Sequence, residues 1–207
     1  MLACETEIAM TALTELRKKL RPGQVYRRAD LARWSSAVDR HLRQLVDEGR
    51  LVKVSGGLYR TPKNTRFGDA PADPRKLVER FLKDDRFLMV SPSAYNALGV
   101  GATQLYNETV VYNAKRRGRH DLDGRRFDFR LKPYFPSRAT EEFLLVDLVD
   151  NLGRLAEDQD ALAERAKERA KKMDRQALKK AVRDYGGQRA KRVLGPVVKE
   201  AALSAAA

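Results

Sequence analysis

Residues 35–60 read SSAVDRHLRQLVDEGRLVKVSGGLYR, and the spacing of their apolar residues changes partway along. Val38, Leu42, Leu45 and Val46 occupy positions i, i+4, i+7 and i+8, which form one face of a helix. The other faces carry serine, aspartate and arginine. One side of this helix is therefore expected to pack against a core, while the opposite side stays free for a partner.

Turn signals mark the ends of this helix and the chain beyond it. Ser35 or Ser36 is expected to cap the helix start, because a serine hydroxyl accepts an unpaired backbone N–H. Gly49 is expected to end the helix, since glycine readily adopts the left-handed backbone found there. The next residues, up to Pro62, predict two strands joined by Ser55-Gly56-Gly57. A helix that leads into such a hairpin predicts a winged helix-turn-helix.

The chain before residue 35 supplies the other elements of that fold. A first helix is expected to bury four apolar residues, Ile8, Leu13, Leu16 and Leu20. Pro22-Gly23 would end it, Val25-Tyr26 predicts a short strand, and residues 27–33 predict a short second helix. These elements place a winged helix-turn-helix domain at residues 1–66, which is long enough to fold independently.

The charge balance points to a polyanionic partner. The chain has 42 Lys and Arg against 28 Asp and Glu, a net charge of +14 and a pI near 10.1. Residues 1–66 carry 14 basic and 7 acidic side chains, residues 67–153 carry 14 and 13, and residues 154–207 carry 14 and 8. The excess at the two ends favours nucleic acid as the partner.

Cysteine content and hydropathy indicate the compartment. Cys4 is the one cysteine of the sequence, which excludes an intrachain disulfide and a cysteine-rich zinc site and suits a reducing interior. No stretch approaches the roughly 18 consecutive apolar residues of a membrane-spanning helix. The first ten residues, MLACETEIAM, are acidic where a signal peptide is basic. We therefore expect a cytoplasmic protein that has no membrane partner.

The rest of the chain predicts two further regions. A polar linker from Lys63 to Pro74 precedes a mixed α/β domain at residues 75–153, and a basic helical extension follows at 154–207. The middle domain's predicted elements are a helix near 75–83, strands at 87–90, 109–113 and 126–131, a helical turn at 91–99 and a largely buried helix at 140–155. The expected fold class is α+β.

Several motifs together resemble a known family. They are Ala37-Val38, Leu42, Leu45-Val46, Gly49, Leu51, Gly57-Leu58-Tyr59 and Pro62, followed by Ser93-Ala94-Tyr95 and Leu98. This combination, across residues 8–150, resembles the AbiEi-type antitoxins of bacterial type IV toxin-antitoxin systems. The segment from the helix to the hairpin, which ends in Gly57-Leu58-Tyr59, is the most specific part of the resemblance.

The resemblance implies a function in two parts. The amino-terminal domain would bind double-stranded DNA at inverted repeats in its own promoter and repress transcription. The remainder, an antitoxin-like domain, would antagonise a nucleotidyltransferase-like toxin, without forming a stable complex with it. Both parts are typical of phage-defence operons.

The residues themselves predict how DNA would be contacted. The early exposed residues of a recognition helix read base edges, and the candidates are Ser35, Ser36, Arg40 and Arg43. Phosphate contacts position the protein without specifying sequence, and the candidates are Arg27, Arg28, Arg33, Lys53 and Arg60. We expect Arg40 and Arg43 to matter most, since arginine can hold guanine with two hydrogen bonds.

Each of these features also has a plain structural explanation. A charged helix face is often only solvated, and winged helices also dock proteins. Asp39 is expected to cap the helix or to pair with Arg43 at i+4 rather than to read a base. Trp34 and Tyr59 are expected to pack rather than to stack on bases.

Two more basic segments are candidate contact surfaces. Lys115, Arg116, Arg117 and Arg119, in a connection that ends at His120, are either a solvated hairpin tip or a second patch facing nucleic acid or toxin. The lysine-rich stretch from Ala163 to Lys180 is either a solvated helix with pairs such as Glu168 and Lys172, or a basic surface for a partner.

Catalytic and metal-binding patterns are weak. His41 and His120 are the two histidines, and neither has the spacing of a convincing metal site. Gly56-Gly57 and Gly99-Val100-Gly101 lack the rest of a phosphate-binding loop. We therefore expect no cofactor, no metal and no enzymatic activity. The alternatives to the antitoxin are a winged-helix regulator without a toxin and, less favoured, a nucleic-acid-processing enzyme.

Overall fold

The structure, a computed structural model, describes residues 12–100, 108–155 and 158–200. Its contacts divide the chain into two units. The first contains the chain up to Asp85 together with Asp121–Arg125, and the second contains Arg86–His120 and the chain from Arg126 onward. Ile8 and Cys4, for which we predicted a helix face and a reduced thiol, lie outside the described residues.

The first unit contains four helices and two small sheets among its described residues. Its elements are α1 (residues 12–19), β1 (Val25–Arg27), α2 (Arg28–Leu31), a 3-10 turn (Ala32–Trp34), α3 (Val38–Asp47), β2 (Val52–Ser55), β3 (Leu58–Arg60), β4 (Asn64–Thr65), β5 (Gly68–Asp69) and α4 (Pro74–Leu82). Strand β3 is the middle strand of the sheet β1-β3-β2, and both of its pairings are antiparallel. In chain order, the antiparallel hairpin β2-β3 comes next after α3.

The predicted apolar stripe of α3 forms the centre of the first core. Val38, Leu42 and Leu45 are buried, and Val46 is partly buried against the same cluster. Gly49 follows the helix with a φ of 68°, the left-handed conformation expected of it. The predicted serine cap is wrong, because the N-cap residue is Ala37 and no side chain caps this end.

The second unit combines a four-stranded sheet with a group of helices. Its elements are β6 (Leu88–Val90), a 3-10 helix (Pro92–Leu98), β7 (Glu108–Asn113), β8 (Gly118–Leu122), β9 (Arg125–Leu131), α5 (Glu141–Asp150), a 3-10 turn (Leu152–Arg154), α6 (Gln159–Lys171), α7 (Arg175–Tyr185) and α8 (Gln188–Glu200). The strand order is β6-β7-β9-β8, with β7 and β9 parallel and β6 antiparallel to β7. The tip of the hairpin β8-β9, within Asp121–Arg125, is grouped with the first unit.

Helix α5 is the centre of the second core. Phe143, Leu145, Val146 and Leu148 are fully buried, as the apolar run had predicted. Thr140 caps the helix by accepting the backbone N–H of Phe143. Helices α6, α7 and α8 contribute apolar residues to this same cluster, so they complete the second core.

These contacts divide the chain differently from the predicted domains. Helix α4 belongs to the first unit, although the sequence placed it beyond a linker. Helices α6, α7 and α8, which the sequence placed in a separate extension, share the core of α5. The lysine-rich stretch is two helices, because Asp174 caps the start of α7 and interrupts the helix. Glu168 pairs with Lys171 and not with Lys172.

Candidate nucleic-acid interface

The outward face of α3 presents two free arginine side chains. Arg40 and Arg43 are exposed, and within the described ranges of the chain neither forms a hydrogen bond or a salt bridge. Ser36 is also exposed, just before the helix. Because the opposite face holds the core residues, the helix is fixed in orientation while these side chains keep their donors available.

Ser35 does not belong to this surface. Its side chain is buried, and its Oγ lies 2.7 Å from Nδ1 of His41, which is buried one turn into α3. The prediction that Ser35 contacts a base is therefore wrong. The serine satisfies a core histidine, a pairing that the apolar pattern of α3 does not reveal.

Arg28, at the start of α2, is paired with Asp39 of α3. Its Nε and Nη2 donate to the two carboxylate oxygens of Asp39 at 2.6 and 2.5 Å. This bidentate pair holds the pKa of the Asp39 carboxyl below its usual range. Asp39 thus neither caps α3 nor hydrogen-bonds Arg43, contrary to expectation, and it neutralises one predicted phosphate contact in the free protein.

The other predicted phosphate contacts have different surroundings. Arg27 is partly buried, and its Nη1 donates to the backbone carbonyl of Arg80 at 2.6 Å. Arg33 is exposed in the 3-10 turn, and Lys53 is exposed on β2. Trp34, which was expected to pack, keeps 36% of its surface exposed immediately before α3. Arg33 and Lys53 are therefore exposed cations of the first unit, one before and one after α3 in the chain.

Arg60 is a structural residue and cannot contact phosphate as predicted. It is 8% exposed and donates from Nη2 to Asp69 at 2.7 Å and from Nε to Asp123 at 2.6 Å. The second carboxylate oxygen of Asp123 accepts the backbone N–H of Ala72. Arg60 therefore ties the end of β3 to two other segments of the first unit.

The second predicted basic patch is exposed but only partly a loop. Lys115, Arg116, Arg117 and Arg119 are all exposed, while β8 begins at Gly118. The side-chain oxygen of Asn113 accepts the backbone N–H groups of Lys115 and Arg116, which shapes the turn before β8. Arg119 also pairs with Glu108 at 3.0 Å.

Sequence reasoning missed a buried polar network in the second unit. Asp147 of α5 is 1% exposed and accepts hydrogen bonds from the hydroxyls of Tyr95 and Tyr112 at 2.7 and 2.9 Å. Lys132 Nζ lies 3.3 Å from its other oxygen. Burial, with the charge of Asp147, raises the pKa of both tyrosines, so they remain donors. A lone acid within the apolar run of α5 was the available signal.

Other kinds of site find little support in the described residues. No group of three or more His, Cys, Asp or Glu side chains in this part of the chain is arranged to hold a metal ion. None of the helices described above has the length and apolar character needed to cross a bilayer.

The described elements define a mixed α+β protein of two units, with small sheets and abundant helix. No family model matches the chain, and no curated protein matches it. Among solved structures, the chain is similar to the crystal structure of the RV2827C protein from Mycobacterium tuberculosis. The two share 18% identity over 95% of this chain and 80% of that chain, with a TM-score of 0.55. At this identity the likeness concerns the fold alone.

Proposed function

We propose that this protein is a DNA-binding antitoxin and transcriptional autorepressor of a type IV toxin-antitoxin operon. The first unit would act as a winged helix-turn-helix, with α3 in the major groove and the hairpin β2-β3 as the wing. The observation that carries this proposal is the pair of unengaged arginines, Arg40 and Arg43, on a helix whose other face is fixed in a core.

The chemistry of these side chains suits base reading. A guanidinium can donate two hydrogen bonds to O6 and N7 of guanine, and each such pair contributes roughly 1–3 kcal/mol of discrimination. Arg33 and Lys53 would contact flanking phosphates, because both are exposed beside α3 or on the wing. Asp39, held by Arg28, would limit which base can approach the start of the helix.

The toxin half of the proposal rests on the resemblance to AbiEi-type antitoxins. A nucleotidyltransferase-like gene beside this one, and rescue of growth on co-expression, are the expected observations. A neighbour of another kind, with no toxicity to rescue, would leave a winged-helix regulator that has no toxin partner.

Base reading is tested by footprinting and competition on the DNA upstream of the protein's own gene. We expect Arg40→Ala and Arg43→Ala each to weaken operator binding about 5- to 150-fold and binding to a scrambled duplex much less. Lys172→Ala removes the same charge from the second unit and serves as the matched control. Equal losses on operator and scrambled DNA would overturn base readout by α3.

A further inference from the structure

The end of β9 and the segment after it expose two large apolar side chains. Leu131 is 48% exposed and Tyr134 is 68% exposed, and they are two of the four large hydrophobic side chains exposed in the described residues. Tyr134 borders a cavity of about 800 Å³ in the second unit. Phe135 and Tyr185 also line this cavity, so three aromatic rings border one opening.

Cationic side chains surround these rings. Arg86, Lys132, Arg183 and Lys191 line the same cavity. The guanidinium of Arg86 lies 5.9 Å from the centre of the Phe135 ring. Lys132 lies above Tyr112 at 4.9 Å from the ring centre and is fixed by Asp147. Aromatic faces with cations beside them are what a nucleobase and its phosphates require.

The two carboxylates in this wall already have partners. Asp150 accepts the backbone N–H groups of Gly187 and Ala190 at 2.6 and 2.9 Å. Asp184 pairs with Arg183 at 2.7 Å. The four lining cations therefore outnumber the acids by two, and neither acid depends on an incoming cation for a partner.

The cationic wall continues into an adjoining cavity of about 430 Å³, which shares Lys132 and Asp150 with the first. Here Arg130 is held rigidly, because Nε donates to Asp128 at 2.6 Å and Nη1 to Asn151 at 2.9 Å. Arg117 of the second basic patch lines the same cavity. Four cations line this cavity against three carboxylates, Asp128, Asp147 and Asp150, so a phosphate chain that left the aromatic rings would meet an excess of one positive charge.

The charge of the whole unit agrees with such a ligand. The second unit holds 23 basic and 14 acidic side chains, a net +9, whereas the first holds 19 and 14, a net +5. The proposed reading of duplex DNA by α3 involves only the first unit. It gives no role to the larger positive charge of the second unit.

We propose that these two neighbouring cavities bind a nucleotide, with its base stacked against Tyr134 and its phosphates held by Lys191, Arg183 and the cations of the second cavity. The ligand is either a free nucleoside phosphate or part of a single-stranded nucleic acid, since both offer the same base and phosphate. The first cavity, of about 800 Å³, is of a size that accommodates a small molecule of this kind. This inference stands apart from the proposed reading of duplex DNA.

The test uses the full-length chain and fluorescence anisotropy. The probe is a labelled oligouridylate, and the competitors are unlabelled ATP and UTP, the unlabelled oligomer, inorganic pyrophosphate and a glutamate-rich peptide. We expect Tyr134→Ala to weaken probe binding about 5- to 150-fold, the range that stacking of one base contributes. Tyr134→Phe should keep most of the affinity, because the ring remains, and Lys191→Ala should weaken binding and reduce its dependence on salt.

The control variants separate this site from the proposed DNA interface. Phe67→Ala removes an aromatic ring that is 85% exposed in the first unit and should leave binding unchanged. In the Arg40→Ala background, Tyr134→Ala should still weaken binding by the same factor, so the two proposals fail independently. If ATP or UTP displaces the probe at concentrations similar to those of the unlabelled oligomer, the ligand is a free nucleotide. If only the oligomer displaces the probe, the ligand is a single strand. Binding that is insensitive to Tyr134→Ala, or equally strong competition by pyrophosphate or the acidic peptide, would overturn the proposal.

Discussion

At the scale of single residues, Arg60 shows how a surface prediction can conceal a structural role. Its guanidinium is surrounded by Asp69 and Asp123, and little of it reaches solvent. Asp123 is buried while Asp69 keeps 35% of its side chain exposed, so removal of Arg60 would leave chiefly the Asp123 carboxylate charged and desolvated. The residue therefore matters to the folding of the first unit rather than to DNA.

We expect Arg60→Ala to lower the free energy of unfolding by about 3–5 kcal/mol, since two carboxylates would lose their common partner. Urea denaturation measures this change. Lys53→Ala, on the neighbouring strand and exposed, should change stability by less than about 0.5 kcal/mol. A loss of similar size in both variants would contradict the structural role given to Arg60.

His41 makes stability depend on pH. Burial, with further effects from Arg40 and Arg17, lowers the pKa of its imidazole below the usual 6.5. The unfolded chain would take up a proton near that value, while the folded chain resists protonation. The stability contributed by neutral His41 is therefore fully present above pH 6.5 and is lost as the pH falls toward the lowered pKa.

Melting temperatures at about pH 7.5 and about pH 5 test this dependence. The native chain should lose more stability over that interval than His41→Gln, which cannot titrate there. Carboxylates titrate alike in both proteins, so the difference isolates the imidazole. Parallel losses in the two proteins would show that His41 titrates as it does in the unfolded chain.

At the scale of elements, a helix cap could be predicted from the sequence when the capping residue lies next to the helix in the chain. A cap from a distant residue could not be predicted. The apolar stripe of α3 and Gly49 after it were sufficient to predict the helix and its end, although the serine cap expected at its start was wrong. Asp73 and Asp174 cap α4 and α7 from the adjacent position, which is also visible in sequence. The start of α8 is different, because its cap is Asp150, 37 residues before Gly187.

We expect Asp150→Ala to lower the free energy of unfolding by about 2–3 kcal/mol, because two charge-assisted hydrogen bonds to α8 are lost. Asp150→Asn keeps one amide oxygen as an acceptor, so its free energy of unfolding should lie between those of the native chain and Asp150→Ala. Asp174→Ala removes a single local cap and should cost about 1 kcal/mol. Urea denaturation of the three variants gives the order, and an Asp150→Ala loss no larger than that of Asp174→Ala would contradict this account.

The contacts that the sequence did not predict for these residues have the same physical origin. Ser35 faces His41, Arg28 faces Asp39 and Arg60 faces Asp123, at separations of 6, 11 and 63 residues. Composition and periodicity predict which face of an element is polar, but they do not reveal the partner that a polar group finds across a fold. The exposure of Arg40 and Arg43 could be predicted, because it follows from the helical period alone.

At the scale of the whole molecule, positive charge is spread over both units. A net charge of +14 attracts any polyanion at low ionic strength, whichever side chains read the sequence. Specific binding therefore has to be measured near physiological salt, where the screening length is about 8 Å. Under those conditions, the base reading proposed for α3 would be distinguishable from the general attraction of the second unit.

The chain passes between the two units three times, because the first unit takes in both the sequence up to Asp85 and the short segment Asp121–Arg125. A gene fragment that ends after α4 would encode α3 but omit Asp123, and Arg60 would keep only Asp69. A single recombination event could not exchange this half of the protein for another without breaking that pair. The two units are therefore expected to be inherited together, even if their ligands are unrelated.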